Sequence, residues 1–395
     1  MNEPLQIVIP ALVAIICTGW IYPYILDVAK VKNIVDNPNA RKLQRIPIPV
    51  LGGLTVAFGI LSGLMTFNLF GDFTDLLPVL ASIFIILIIG FIDDTISLSA
   101  RVRFVVEIIL ILYFIKTTGC QLNDFHGLWG IGVIPNYISI PLTVFACVGI
   151  INAVNLIDGV DGFSSGYSIV SCALFGIMFY SLGDMRMVAL AAIVAASLIP
   201  FFLHNVFGRD SKMFIGDAGT LSLGIIFSVF VMTIISSNQS LDGLPNNLGV
   251  VPFTLAVLCI PVFDTLRVMS ARMLKGRSPF SPDKTHLHHL FLELGYSHIG
   301  SALTIIMINL IVVLCWFGAF RAGLSINTQL YVVIVMGVLA TFVFYPFVHT
   351  QTRKQTYVYR LLRRIALLTH AERKGFWAVA QRWADRKTRE NIESL

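Results

Sequence analysis

The chain has 395 residues, of which 56% are hydrophobic and only 13% are charged, and its mean hydropathy is +0.81. Soluble globular proteins carry about 25% charged residues, and one core could not bury this much apolar surface, so the composition excludes a soluble protein and indicates a lipid bilayer. The net charge of +6 does not indicate a nucleic-acid partner, because the basic residues cluster at the ends of apolar segments.

Eleven apolar segments are long enough to cross a bilayer, since a spanning helix needs about 20 residues. They occupy residues 4–27, 48–70, 78–96, 102–117, 135–156, 162–182, 187–206, 218–236, 249–268, 300–321 and 328–350. The predicted fold class is therefore an all-α, polytopic integral membrane protein with about eleven transmembrane helices. The six cysteines fall mostly within these segments and form no CxxC pair, which favours small apolar side chains over a disulfide framework or a zinc site.

An odd number of spans places the two termini on opposite sides of the membrane. Lys and Arg residues are enriched on the cytoplasmic side, so their distribution decides between the two possible orientations. With the C-terminus inside, all of the 28 Lys and Arg residues except Lys116, Arg186 and Arg321 lie on the cytoplasmic side. We therefore predict an outside N-terminus and a cytoplasmic C-terminus in a bacterial inner membrane. Residues 1–350 are expected to form the membrane-embedded domain. Residues 351–395 are expected to form a basic tail, either an amphipathic helix on anionic lipid or an ordinary positively charged inner segment.

The first inner loop contains a polar cluster from Asp36 to Lys42, followed by Gly52-Gly53 at the start of the second predicted helix. Lys42 and its neighbouring arginine suit phosphate binding, and a glycine pair lets the backbone approach a ligand or another helix. A positively charged inner loop followed by packing glycines explains the same residues.

The second cluster is Asp93-Asp94, at the end of the third predicted helix. Two adjacent carboxylates there repel each other and meet the unfavourable end of the helix dipole, so a divalent cation or cationic side chains would stabilise them. Arg101 and Arg103 follow closely and suit a phosphate-binding rim. The alternative is a pair of solvated acids at a helix end.

The third cluster is Asn152, Asn155, Asp158 and Asp161, followed by Gly162. The spacing of three between the first three residues would stack them on one side of a helix. An oxygen-only set of Asn and Asp suits Mg²⁺ better than Zn²⁺, although a capped turn is the simpler alternative.

The fourth cluster is Asn205 and the stretch FIGDAG, which places Asp217 at the entry to the eighth predicted helix. An acid at a helix N-terminus is favoured by the dipole, so Asp217 alone could be only a cap.

The fifth cluster is the longest inner loop, which begins at Asp264 and Arg267 and contains Arg272, Arg277 and the histidines His286, His288 and His289. Three histidines in four residues raise the question of zinc. No cysteine is near and the spacing is not that of a helical His pair, so phosphate or nucleotide contact is the favoured interpretation.

Together, the stretches DNPNARKLQRIPIPVLGG, GFIDD, NAVNLIDGVDG, FIGDAG and SPFSPDKTHLHH resemble, in this order, the polyprenyl-phosphate N-acetylhexosamine-1-phosphate transferase superfamily. The last stretch is similar to the branch that transfers GlcNAc-1-phosphate to undecaprenyl phosphate. The resemblance covers residues from about 30 to 290. It implies transfer of a sugar-1-phosphate, most simply GlcNAc-1-phosphate, from a UDP-sugar to undecaprenyl phosphate. UMP would be released, and the product would prime a cell-surface polysaccharide.

The resemblance also implies roles for individual residues. It implies that Asp217 and Asn155 bind Mg²⁺, for which Mn²⁺ could substitute, and that Asp93 and Asp94 lie near the lipid phosphate. The remaining implied roles belong to active-site acids (Asp158 and Asp161), the nucleotide-sugar site (Lys42 and Asn205) and the sugar-recognising loop (His286, His288 and His289). A homodimer is compatible with the superfamily.

Two positions depart from the family pattern. Gln44 stands where a histidine is usual, which puts an acid–base role there in doubt, and His204 precedes Asn205 where an aromatic residue is usual.

Two alternatives remain open from the residues. Another UDP-N-acetyl sugar could be the donor. A secondary transporter is the alternative from a different class, but transporters place polar sites near the bilayer midplane. Here the segment interiors are mostly apolar, with Asn309 as an exception, and the polar clusters lie at the cytoplasmic ends.

Overall fold

The computed structural model describes residues 3–37, 46–70, 74–279, 284–370 and 375–393. Sixteen α-helices lie within these ranges. They are α1 (Glu3–Val31), α2 (Gly52–Phe67), α3 (Leu77–Ile96), α4 (Ala100–Thr118), α5 (Asn136–Leu156), α6 (Phe163–Ser181), α7 (Met185–Phe207), α8 (Gly216–Ile234), α9 (Val250–Val257), α10 (Cys259–Leu274), α11 (Leu287–Glu293), α12 (His298–Arg321), α13 (Ile326–Val338), α14 (Phe344–Lys354), α15 (Tyr357–Leu368) and α16 (Phe376–Glu393). Two short antiparallel strands, β1 (Val35–Asp36) and β2 (Ile48–Pro49), form the sheet of the described chain. The predicted all-α class is confirmed.

Eight helical stretches of the described residues are long and apolar enough to cross a membrane, and a ninth exists if α9 and α10 count as one bent span. Each of the eleven predicted segments overlaps helical residues, but the segment 249–268 covers two helices, α9 and α10, with a bend between them. However, α2 has only 16 residues and α4 carries Arg101, Arg103, Glu107 and Lys116. The chain is a multi-pass membrane protein, while the count of eleven and the orientation stay predictions.

The chain divides into two compact units. The first unit comprises Met1–Thr118, Ser164–Ile226 and Ala371–Leu395, and the second comprises Gly119–Phe163 and Phe227–His370. The final segment of the predicted tail thus belongs to the first unit, with α16 packed on α7.

Small residues allow close helix packing in the first unit, where α1, α2 and α7 contact one another. A Cβ atom at Gly59 of α2 would lie 2.9 Å from Ser197 Oγ and 3.0 Å from the carbonyl oxygen of Ala14. Such glycines bring helix backbones together without a hydrophobic driving force, which lipid does not supply.

The second unit contains a helix break, because α9 and α10 meet at a 70° bend. Asn309 of α12, only 3% exposed, lies at this break. Its Oδ1 accepts a hydrogen bond from Ile260 N at 3.0 Å, and its Nδ2 donates to Val257 O at 3.0 Å. A broken helix in an apolar interior leaves backbone groups that must be satisfied internally. The polar residue inside a predicted span therefore has a structural explanation.

Candidate functional site

Three of the five sequence clusters meet in the first unit. The start of α2 is joined to the segment before α8, because Gly52 N donates to Phe214 O at 2.9 Å and Gly53 N donates to Ile215 O at 2.7 Å. Phe214 N donates to Pro49 O at 2.8 Å, which extends this pairing towards β2. The glycine pair of the first cluster is thus hydrogen-bonded to the FIGDAG stretch of the fourth.

Glycines let α3 approach the same helix terminus. A Cβ atom at Gly90 would lie 2.5 Å from Ala218 N, and one at Gly53 would lie 2.6 Å from Gly219 Cα. Because these neighbours are backbone atoms, no side-chain rotation could relieve the overlap. Gly216 has φ +71°, a conformation that side-chain-bearing residues rarely adopt. The glycine pattern therefore fixes the distance between α3 and the first turn of α8.

Asp94 caps α8 from another helix. Its Oδ1 accepts from Asp217 N at 2.8 Å and its Oδ2 accepts from Ala218 N at 3.1 Å. These N–H groups lie in the first turn of α8, where helical partners are lacking and the dipole favours a negative charge. The sequence allowed Asp217 to be the cap of this helix. At these two N–H groups, however, the capping side chain is that of Asp94.

Arg103 compensates the other carboxylates of this cluster. Its Nη1 lies 2.7 Å from Asp93 Oδ2 and 3.4 Å from Asp217 Oδ2. Asp93 also accepts a hydrogen bond from Leu98 N at 2.6 Å. The side chain of Asp93 is only 6% exposed, whereas that of Asp217 is 33% exposed. Among the three carboxylates, Asp93 and Asp94 are held by the fold, and Asp217 is accessible to a ligand.

Other predicted residues of the first unit lie nearby or outside the described residues. Asn205 is buried near the end of α7 and donates to Met213 O at 2.9 Å, which closes the loop leading to α8. Arg101 is exposed in the first turn of α4. Lys42 and Gln44 lie outside the described residues, so their roles stay predictions.

In the second unit, the histidines of the fifth cluster surround a buried ion pair. Asp264 Oδ2 lies 2.9 Å from His286 Nδ1, and Asp264 Oδ1 accepts from Arg267 Nη2 at 2.6 Å. Arg267 also donates to Thr285 O and lies over the Tyr345 ring, 3.8 Å from its centroid. The carboxylate fixes the orientation of His286, because a buried hydrogen-bonded pair leaves the imidazole little freedom.

The second histidine packs against the third cluster. The His286 and His288 rings are parallel, with centroids 5.8 Å apart, and the His289 ring lies 4.3 Å from that of His288. A Cβ atom at Gly159 would overlap the His288 ring, so only glycine fits there. Burial above all, and then the neighbouring histidines, lower the pKa of His288 well below 6.5, and the ring is therefore neutral at pH 7.

The third cluster is only partly helical. Because α5 ends at Leu156, Asn152 and Asn155 lie on the helix, while Asp158 lies in the following turn and is exposed. The prediction that a helix stacks all three on one side is therefore wrong for Asp158. Asn152 donates to Val148 O at 2.9 Å, and the Asp161 carboxylate lies 3.0 Å from His298 Nδ1.

The two predicted arginines of the fifth cluster differ in environment. Arg272 is buried and its Nη1 donates to Pro279 O, whereas Arg277 is exposed. Arg272 therefore holds the backbone of the loop before the histidines, and Arg277 is accessible to solvent.

No group of three or more His, Cys, Asp or Glu side chains in the described ranges is arranged to hold a metal ion. Zn²⁺ needs such a set, but Mg²⁺ binds through one or two carboxylates together with substrate phosphates and water. The partly exposed carboxylate of Asp217 provides the oxygen ligand that Mg²⁺ prefers. The residues of the first unit therefore fit Mg²⁺, while Asn155, the second predicted ligand, lies in the other unit.

Three residues of this region were assigned no role from the sequence. Asp264 and Arg267 already marked the start of the fifth cluster, and an ionisable pair at the end of an apolar segment indicates a function, because such a pair is costly there. His298 has only a weak signal, as it directly follows Ser297, the N-cap of α12.

Comparisons with known proteins identify the family of the chain. The sequence profile described as glycosyl transferase family 4 matches residues 76–235. The chain is 30% identical over 315 residues to the probable undecaprenyl-phosphate N-acetylglucosaminyl 1-phosphate transferase of Bacillus subtilis (strain 168), covering 78% of this chain and 83% of the relative. It is also 30% identical over 345 residues to the undecaprenyl-phosphate alpha-N-acetylglucosaminyl 1-phosphate transferase of Escherichia coli (strain K12), covering 86% of this chain and 90% of the relative. The corresponding enzyme of Yersinia pestis is 31% identical over 271 residues, which are 67% of this chain and 71% of that protein. With such similarity over most of its length, the chain belongs to glycosyl transferase family 4.

Proposed function

We propose that this protein transfers N-acetylglucosamine 1-phosphate from UDP-GlcNAc to undecaprenyl phosphate and releases UMP. The product would be a lipid-linked pyrophosphoryl sugar that primes a cell-surface polysaccharide. The names of the relatives support the acceptor and the transferred group. The donor nucleotide, the release of UMP and the downstream glycan are parts of the proposal.

The cluster of Asp93, Asp94, Arg103 and Asp217 carries this proposal. The reaction exchanges one pyrophosphate bond for another, so catalysis must come from positioning and from neutralising charge. Two anionic substrates need cations, and Arg103 is held beside two carboxylates that fix its position. The side chain of Asp217 is more exposed than that of Asp93, at 33% against 6%.

We propose Asp217 as a ligand of Mg²⁺, with Asn155 as a second ligand by resemblance. When bound, Mg²⁺ would supply positive charge to the phosphate oxygens. Asp94 would hold the first turn of α8, and with it Asp217, in place. The lipid phosphate is largely dianionic at neutral pH, because its second pKa is near 6, so it can attack phosphorus without a strong general base.

The histidine cluster of the second unit would recognise the donor sugar. The Asp264 carboxylate holds His286 in one orientation, and the buried, neutral His288 can donate one hydrogen bond and accept another. A neutral imidazole suits hydroxyl and acetamido groups, so His288 fits a sugar better than a phosphate.

The membrane topology is part of the same proposal. We propose that the shorter α2 and the charged α4 also cross the bilayer, which gives eleven spans with the C-terminus in the cytoplasm. UDP-sugars and UMP are water-soluble, whereas undecaprenyl phosphate presents its headgroup at the membrane surface. Polar clusters at helix ends suit one soluble and one interfacial substrate.

A UMP-release assay with purified protein tests the proposal. UDP-GlcNAc and undecaprenyl phosphate should give UMP in the presence of Mg²⁺, and Asp217→Asn should abolish it at any practical Mg²⁺ concentration. Asp242→Asn, the same change in an exposed loop residue, is the matched control and should remain active. Near-normal turnover of Asp217→Asn would refute the metal assignment, and release only from another UDP-sugar would correct the donor.

The transporter alternative is addressed by the same preparation. In proteoliposomes, uptake of UDP-GlcNAc without UMP formation would favour transport. The hydrogen bonds of Asn309 to the α9–α10 break argue against a transport role for this polar residue.

A further inference from the structure

The loop between α7 and α8, residues 208–215, connects two residues of the proposed site. Asn205 lies just before it and Asp217 just after it. A connecting loop of this length has little internal hydrogen bonding, so its shape depends on contacts from other segments. The position of Asp217 therefore depends on what holds this loop.

The C-terminal helix holds the backbone N–H groups of the loop. Asp385 of α16, only 3% exposed, accepts from Asp210 N at 3.0 Å and Ser211 N at 3.0 Å, and from Arg209 N at 3.1 Å. It also accepts from Ser211 Oγ at 2.9 Å. Three consecutive backbone N–H groups around one carboxylate form an anion-binding nest. Here the anion is a side chain of the same protein, since Asp385 lies 174 residues after Ser211 in the sequence.

Helix α1 holds the carbonyl oxygens of the same loop. Tyr22 Oη donates to Ser211 O at 2.8 Å, and Lys30 Nζ donates to Asp210 O at 2.8 Å. Two helices therefore hold the backbone of the loop. Helix α1 binds its carbonyl oxygens, and helix α16 binds its N–H groups.

Aromatic side chains fix α16 in this position. The His204 ring lies between those of Tyr22 and Trp383, with centroid distances of 4.2 Å and 5.6 Å. Phe207 lies 4.6 Å from the Trp377 ring. His204, which departs from the family pattern, therefore fills an aromatic position by stacking.

We propose that Asp385 is a positioning residue, which fixes residues 208–215 and through them Asn205 and Asp217. This inference rests on the proposed function, because turnover is one of its readouts. The helix that the sequence assigned to a basic tail then supports, through Asp385, the loop that precedes the proposed site. Removing the carboxylate would release three N–H groups and let the first turn of α8 shift.

The experiment compares Asp385→Ala and Asp385→Asn with Arg382→Ala, an exposed residue on the same helix. Hydrogen exchange of residues 208–213 and the KM and kcat for UDP-GlcNAc are measured well below the melting temperature of each variant. Asp385→Ala should accelerate exchange in the loop and lower kcat/KM by about 10- to 100-fold, since misplacement by about 1 Å has such effects. Asp385→Asn keeps an acceptor oxygen, so its loop exchange and its kcat/KM should lie between those of Asp385→Ala and the wild type. Arg382→Ala should match the wild type in both measurements.

The outcomes separate the two claims. Unchanged loop exchange in Asp385→Ala would overturn the proposed contact, and faster exchange with unchanged kcat/KM would overturn its role in positioning. If the wild-type protein releases no UMP, the proposed function fails, while loop exchange still tests the contact of Asp385.

Discussion

Replacing Gly90 by alanine should damage both stability and turnover. A Cβ atom there would lie 2.5 Å from Ala218 N and 2.7 Å from Asp217 C, whereas ordinary contacts begin at about 3.4 Å. Ala218 Cα would lie slightly closer still, and since these neighbours are backbone atoms, α3 and α8 would have to separate by about 1 Å. Overpacking of this kind costs about 1–3 kcal/mol, which outweighs the gain of up to about 1 kcal/mol from replacing a helical glycine.

The same separation would stretch both hydrogen bonds from α8 to Asp94. We therefore expect a lower melting temperature in detergent and a UMP-release rate lowered by about 10- to 100-fold. Gly149→Ala is the matched control, because nothing lies within 4 Å of a Cβ atom at that helical position. It should be as active as the wild type and at least as stable. If Gly90→Ala behaves like Gly149→Ala in both assays, the packing argument is refuted.

Three further predictions concern individual polar residues. Asp94→Ala should lower the melting temperature more than Asp94→Asn, because asparagine keeps one acceptor for the first turn of α8 and loss of a cap costs about 1 kcal/mol; equal melting temperatures would contradict the capping role. Asn309→Leu should destabilise the protein by about 2 kcal/mol by leaving backbone groups at the helix break unsatisfied, and a variant that melts like the wild type would contradict this explanation. His288 should make stability fall as the pH drops below 6.5, because the unfolded chain then binds a proton that the folded chain, with its lowered pKa, does not. When the melting temperature is measured between pH 5 and 8, it should fall less towards low pH in His288→Gln than in the wild type. Identical curves of melting temperature against pH for the two proteins would contradict the prediction.

The His288 prediction depends on the groups that face the ring. Like charges on the surrounding histidines lower its pKa further, and the nearby carboxylate opposes them; these groups are His286, His289, His298 and Asp264. Burial remains the largest cause, so the direction does not depend on the charge of any one neighbour.

Local features of the fold were predictable from the sequence, whereas pairings between distant residues were not. Asp93 and Asp94 lie in the last turn of α3, as the preceding apolar run predicted. The contact between Asp94 and the first turn of α8 joins residues 123 positions apart, and neither residue carries a signal for the other. The Gly52-Gly53 pair indicated a close backbone approach, but its partner, the segment before α8, required the structure.

The C-terminal half shows where periodicity is insufficient. Residues 249–268 were predicted as one apolar span, but the structure has two helices with a bend between them. Pro261 was an available signal, since proline lacks an N–H donor and is tolerated in the first turn of a helix. Asp385 had no such signal, because a single acid in a basic tail resembles a solvated side chain.

The break between α9 and α10 has a consequence for the order in which the chain enters the membrane. With eight residues, α9 is only about 12 Å long and cannot cross the hydrocarbon core by itself. Asn309, which satisfies the groups freed at the break, is synthesised 49 residues after Ile260. During synthesis, the α9–α10 segment therefore emerges with unpaired backbone groups that remain hydrated until α12 follows. Stable integration of this segment is thus expected to be a late step, completed only when α12 arrives.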